Sequence, residues 1–207
     1  SGLFGGTNTV SLTAGGTTRL TADTGVSVVG TLAVTGAITS TSDLTIADKV
    51  IHAGDTDTAI RFPAANTVSV ETGGSERARV DSSGRLLVGS SSSRSVAGGS
   101  ARVQVENTST EQISLVRTSN DNGGTVLAIG KTRGGAIVQD NDNLGAVDFA
   151  GDDGADLNTV GARIQAQVDG TPGANDMPGR LVFSTTADGS ASPTTRLTIT
   201  SAGVVNV

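Results

Sequence analysis

The sequence predicts an all-β, fibrous fold: a homotrimer of intertwined β-hairpins carrying a β-sandwich-like module. Three observations predict it. The apolar side chains are small and branched, they alternate with period two, and a hairpin-sized unit recurs within the chain.

Of the 207 residues, 29 are Gly, 35% are hydrophobic and 2% are aromatic, with four Phe, one Met and no Trp or Tyr. Large side chains cannot dominate a core here, so Ala, Val, Leu and Ile must fill it. Such a core suits thin, closely packed sheets, and Ser, Thr and Val favour strands over helices. Alternation separates the chain from a disordered Gly/Ser polymer. Val103 and Val105, Ile113 and Leu115, Leu127 and Ile129, and Ala162, Ile164, Ala166 and Val168 follow the pattern of strands covered on one face.

The repeat defines the first region, residues 1–89. Residues 8–30 read NTVSLTAGGTTRLTADTGVSVVG and residues 66–89 read NTVSVETGGSERARVDSSGRLLVG. Seven of the first 12 aligned positions are identical, including Gly15/Gly73, Gly16/Gly74 and Arg19/Arg77, and Phe4/Phe62 extends the match upstream. Each copy reads as strand, Gly-Gly turn, strand, Asp/Ser-containing turn, short strand, because two-residue hairpin turns require positive φ. A meander of this length cannot bury its own apolar face. Stacking such units within one chain calls for repeats of about 20–30 residues, whereas these copies lie 58 residues apart. Winding hairpins from three chains about one axis remains, and it also removes open strand edges.

Between the copies, Leu32/Val34 and Leu44/Ile46 predict further short strands of the same shaft. The run 90–100 is Ser/Gly-rich and reads as a linker. Residues 101–190 predict a β-sandwich-like module of about seven strands, given turn clusters at 8–12-residue spacing, with Val147, Phe149, Ile164, Leu181 and Phe183 as its core. Residues 191–207 return to the hairpin repeat, with Arg196, Ile199 and Gly203 in the places of Arg77, Val80 and Gly84.

The run GGSERARVDSSGRLLVGSS (73–91) resembles a recurring element of bacteriophage tail fibres and related trimeric adhesins, particularly of marine phages and cyanophages. Residues 143–200 are similar to a segment common in such fibres. The resemblance implies a homotrimeric fibre with interleaved β-structure in its shaft. It further implies location in the virion and at the extracellular surface, where the fibre joins the virion to a host. Its partners would be other copies of itself, other virion tail proteins, and a host-surface glycan or protein. In the family the element often precedes a cleaved chaperone domain, of which this sequence carries no residues.

The charge of −6, with 14 scattered Lys and Arg, argues against nucleic acid as a partner. No apolar run approaches a membrane span, the start SGLFGGTNTV lacks a signal-peptide pattern, and the chain is expected to be soluble. Zero Cys excludes disulfides and thiol nucleophiles. The lone His52, beside Asp55 and Asp57, has no partners for a Ser-His-Asp or zinc site, and reads as a strand-end or axial residue. Glycine patterns such as GGxxR lack the Gly-Lys-Ser/Thr of a phosphate loop.

Paired carboxylates at Glu71/Glu76, Glu106/Glu111 or Asp148/Asp152 would serve a polysaccharide depolymerase, yet the four Phe read as core and leave no aromatic platform for a sugar. Asp152, Asp153 and Asp156, and the run Asp140–Asn143, gather oxygen ligands for Ca²⁺ without EF-hand spacing, and the same residues are what tight turns select. No catalytic residue and no cofactor is predicted. Arg19, Arg77 and Arg196 recur at one place in the repeat and are expected to contact a neighbouring chain. The resulting reading is a non-enzymatic trimeric shaft or spacer supporting host attachment. Its alternatives are a fibre-borne depolymerase and a secreted calcium-dependent adhesin.

Overall fold

The computed structural model describes residues 27–207 and, before them, the backbone of β1 (Thr13–Ala14) and β2 (Thr17–Thr18). These two pair antiparallel, Thr13 with Thr18 and Ala14 with Thr17. Phe4, Gly15, Gly16 and Arg19 lie outside the described residues. The chain divides into two units, Ser1–Thr45 and Ile46–Val207. In the first unit, residues 27–45 form no strand, so the expected pairing at Leu32/Val34 is not made within the chain.

The second unit holds two sheets. The first comprises β3 (Lys49–His52), β4 (Asp55–Arg61), β5 (Val68–Thr72), β6 (Ser75–Val80), β7 (Leu86–Val88) and β8 (Val103–Val105), side by side in sequence order. All neighbours are antiparallel except β7 and β8, which run parallel. The second sheet is a meander of β9 (Asn143–Ala150), β10 (Val160–Val168), β11 (Gly179–Thr185), β12 (Thr194–Ile199) and β13 (Val205–Asn206). The expected all-β class is the class observed.

The repeat folds as its residue types dictate. Gly73 and Gly74, at φ of +57° and +68°, turn β5 into β6, a conformation that favours glycine at both positions. After β6 the Asp81 carboxylate accepts the Ser83 and Arg85 N–H groups, and Gly84 N–H donates to the Asp81 carbonyl. The C-terminal copy repeats this turn with Thr200 in the place of Asp81. Gly203 N–H donates to the Thr200 carbonyl and Val204 N–H to the Thr200 hydroxyl.

Three expectations are corrected. Leu44 and Ile46 belong to no strand, and neither do Ile113, Leu115, Leu127 and Ile129, because residues 106–142 have the alternating pattern but no partner strand in their own chain. Four strands, β8 to β11, therefore stand where about seven were expected. The Ser/Gly run connects two strands of one sheet rather than separating modules. It crosses from β7 to the parallel β8, folds into a bridge between Val96 and Gly99, and is tied to a later loop through Ala97 N–H to the Leu157 carbonyl and Ser95 Oγ to Asn158 Oδ1.

The core is the third correction. Val147, Phe149, Ile164 and Leu181 are exposed and Phe183 is half-buried, whereas Leu87, Val138, Val160, Val168 and Val182 are buried. Period-two alternation identifies which residues share a face. It does not say that the chain itself covers that face.

Candidate functional site

Strand register assembles the exposed apolar residues into continuous rows. Across the first sheet, Val50, Ile60, Val70, Ala78, Val88 and Val105 stand opposite one another from β3 to β8. Beside them on the same face run Val68, Val80, Leu86 and Val103. In the second sheet, Val147, Ile164, Phe183 and Leu197 form one row. Gly145, Ala166, Leu181, Ile199 and Val205 form the next.

Each of these faces leaves large apolar side chains in water: Val50, Ile60 and Val70 are about half exposed at 51%, 50% and 45%. Soluble monomers rarely expose such contiguous rows. A part of the second face is covered from within the chain, where Ile129 lies so close to Gly145 that any Cβ there would collide with its Cγ2.

The opposite faces are charged and internally neutralised. On the first sheet Arg61 pairs with Asp48 and Glu71, and Arg79 pairs with Glu76. On the second, Arg163 pairs with Asp148 and Arg180 with Asp169. The neighbouring guanidinium of Arg163 lowers the Asp148 pKa, and the Ser201 N–H and hydroxyl, with Arg180, lower that of Asp169.

Arg77 and Arg196 occupy equivalent positions. The register of β5 and β6 shifts around Arg77, and that of β11 and β12 around Arg196, so each is the extra residue of a β-bulge. Each donates its Nε to a threonine hydroxyl on the adjacent strand, Arg77 to Thr72 at 2.9 Å and Arg196 to Thr185 at 3.0 Å. The contact expected from a neighbouring chain is thus supplied in part by the chain itself. The terminal guanidinium nitrogens of both have no partner among the described residues. The bulge escaped the sequence reading, although the recurrence of Arg marked its place.

The carboxylates considered for catalysis are separately engaged. Glu71 and Glu76 stand opposite each other, but each is paired with its own arginine. Glu106 is paired with Arg94, Glu111 accepts from Thr110, and Asp148 is held by Arg163. His52 Nδ1 lies 3.9 Å from the Asp55 carboxylate at an exposed strand end. The Asp55 and Asp57 carboxyls push each other's pKa apart, Asp55 down and Asp57 up.

In the acidic loop, Asp152 accepts Gly154 N–H, Asp153 accepts Ala155 and Asp156 N–H and the Thr159 hydroxyl, and Asp156 accepts Asn158 N–H. These oxygens do the work of tight turns. Among the described residues no group of three or more His, Asp or Glu side chains is placed to hold a metal ion.

No protein-family model and no curated protein matches the chain. Solved structures do. The carboxy-terminal domain of the bacteriophage T5 L-shaped tail fibre superposes with a TM-score of 0.54 at 14% identity, over 78% of this chain and 77% of that one. The fold resembles a phage tail-fibre domain. The same T5 domain with its intra-molecular chaperone domain gives a TM-score of 0.55 at 13% identity, over 82% of this chain and 60% of that longer one. At these identities the likeness concerns the fold.

Proposed function

We propose that the chain is a structural segment of a phage tail fibre, a homotrimeric shaft or spacer in the virion that supports attachment to a host cell. The observation that carries this reading is the pair of exposed apolar sheet faces, each continuous across the strands of its sheet. The extended run 106–142, with Ile113, Leu115, Leu127 and Ile129 in water, adds to it. Burying a Val-, Leu- or Ile-sized side chain contributes about 1.5–3 kcal/mol, so closing both faces against other copies outweighs any single contact within the chain. Likeness to the T5 domain, and the similarity of residues 73–91 to an element of marine-phage fibres, give the assembly its context.

In this reading residues 1–89 form shaft, 90–100 a strand connection, and 101–190 the β-rich module, whose sheet is completed by the hairpin repeat at 191–207. The free guanidinium nitrogens of Arg77 and Arg196 donate to a neighbouring chain, and Arg19 takes the equivalent role in the first copy. Other tail proteins hold the fibre in the virion. Light scattering on the purified chain tests the reading. A mass three times the 20.4 kDa of one chain is expected, and a monomer overturns it.

A further inference from the structure

The loop 119–124 joins two alternating arms, Ile113/Leu115 and Leu127/Ile129, and all of its residues are exposed. Its Asn122 is the only asparagine of the chain that is followed by glycine. In such a pair the backbone nitrogen of the second residue can attack the carboxamide carbon of the first and close a five-membered ring. Glycine, without a Cβ, neither shields that nitrogen nor resists the backbone rotation the attack needs.

Most of the other described asparagines are held. The carboxamide oxygens of Asn107, Asn141, Asn143 and Asn158 accept from Ser109, Arg180, Gln167 and Ser95, and Asn66 and Asn175 are fixed at positive φ. Asn122 is under neither restraint: its φ is not positive, and no described residue hydrogen-bonds its carboxamide.

The nucleophile, by contrast, is restrained. Gly123 N–H donates to Asp121 Oδ1 at 2.8 Å. Asp121 is fixed in turn by a two-point contact from Arg117, at 2.5 and 2.6 Å, and by the Ser119 hydroxyl at 2.7 Å. Arg117 also donates to the Gly123 carbonyl at 2.7 Å. A Cβ at residue 123 would press on Arg117 Nη1 at 3.0 Å and Asp121 Oδ1 at 3.1 Å, so glycine permits the clamp as well as the reactive pair. Arg117 first, then Ser119 and the Gly123 N–H, hold the Asp121 pKa well below the usual carboxylate range. Asp121 therefore accepts the hydrogen bond without taking the proton. Its effect is that of a brake, because the N–H must leave Asp121 before the nitrogen can attack.

We propose that Asn122–Gly123 is a site of spontaneous deamidation whose rate is set by the Arg117–Asp121 clamp. A solvent base removes the Gly123 amide proton, the nitrogen bonds to Asn122 Cγ, and the Cγ–Nδ2 bond breaks with release of ammonia. Water then opens the cyclic imide at either carbonyl and leaves aspartate or isoaspartate. The balance is one water consumed and one ammonia released, with no oxidant and no cofactor. Each event adds a negative charge, and isoaspartate also lengthens the main chain by a methylene at the tip between the two arms. The chemistry is independent of the trimeric reading; its consequence, a loosened pairing of the arms with neighbouring copies, rests on it.

The test is incubation of the full chain in mildly alkaline buffer, followed by mass spectrometry of the tryptic peptide 118–131 with fragmentation to separate Asn120 from Asn122, and light scattering on the same samples. The amide-to-acid mass change is expected first at Asn122, as a mixture of aspartate and isoaspartate. It should proceed about tenfold faster in Asp121→Ala, which frees the Gly123 N–H, and be absent from that position in Asn122→Gln. Conversion of any other asparagine ahead of Asn122 overturns the site. A rate in Asp121→Ala equal to or below that of wild type overturns the brake, a lower rate by making Asp121 the base. A trimer whose Asn122 stays intact overturns the proposal and leaves the fibre reading standing, whereas a monomer that deamidates at Asn122 upholds the proposal and overturns the fibre reading.

Discussion

At Gly89 two constraints coincide: φ is +81°, and a Cβ would run into the Glu106 carbonyl oxygen. Neither can relax cheaply, because Glu106 N–H also holds the Val88 carbonyl at the end of the parallel pair. Gly89→Ala is therefore expected to cost about 2 kcal/mol or more. Gly98→Ala, at the same φ but in open space, should cost less. Chemical denaturation of the two variants compares them, and equal losses would remove the collision as a cause.

Asp142 is a second fixed point. Its buried carboxylate takes Arg133 and Lys131 and the Gln139 N–H, and these partners, Arg133 first, hold its pKa well below the usual carboxylate range. A depressed folded pKa gives stability that is fully present above the unfolded value, about pH 4, and lost as the pH falls through the folded one. Melting temperature should accordingly fall below pH 4, and Asp142→Asn should flatten part of that acid limb. An acid limb identical to wild type would mean that the cluster does not hold the fold.

At the bulges, Arg77→Ala removes both the Thr72 bond and the free terminal donors, whereas Thr72→Val removes only the former. A hydrogen bond donated by a charged guanidinium contributes about 1.5–3 kcal/mol, at the lower end where it is exposed. If Arg77 also reaches a neighbouring chain, its variant must melt lower than Thr72→Val. Equal melts would confine the arginine to its own hairpin.

Among the elements, the legible parts were those with local causes. Gly73–Gly74 and Asp81–Gly84 announced their turns because positive φ and side-chain capping are properties of individual residues. The alternation at Val103/Val105 and Ala162–Val168 announced β8 and β10. The same alternation at Ile113/Leu115 announced strands that have no partner within one chain, since pairing depends on an edge the local sequence does not contain. Val147, Ile164 and Leu181, expected in the core, share one face but lie exposed, because the pattern carries no information about what covers the face.

The face itself makes a prediction. Ile164→Lys puts a charge in the middle of the apolar face of the second sheet and leaves backbone pairing untouched, so sedimentation should show dissociation toward monomer with the β-rich circular dichroism retained. A variant that stays trimeric would place the interface elsewhere.

For the whole molecule, the decisive region is one that forms no strand within a single chain. Residues 106–142 carry no strand, and along the run Ile113, Leu115, Val116, Val126, Leu127 and Ile129 are exposed, with relative accessibilities from 54% for Ile129 to 80% for Val126. A run of this length without pairing is rare in a compact domain, and unpaired backbone groups of an alternating segment seek partners. In a trimer those partners are strands of neighbouring copies, so amides between Ile113 and Ile129 should exchange slowly with solvent although no backbone–backbone bond within the chain protects them. Hydrogen exchange across a dilution series measures this directly. Protection that fades as the trimer dissociates, together with a melting temperature that rises with chain concentration, is the expected outcome. Fast exchange of the whole segment at concentrations where scattering reports a trimer would mean that the copies join through the sheet faces alone, with 106–142 left unpaired as a surface loop.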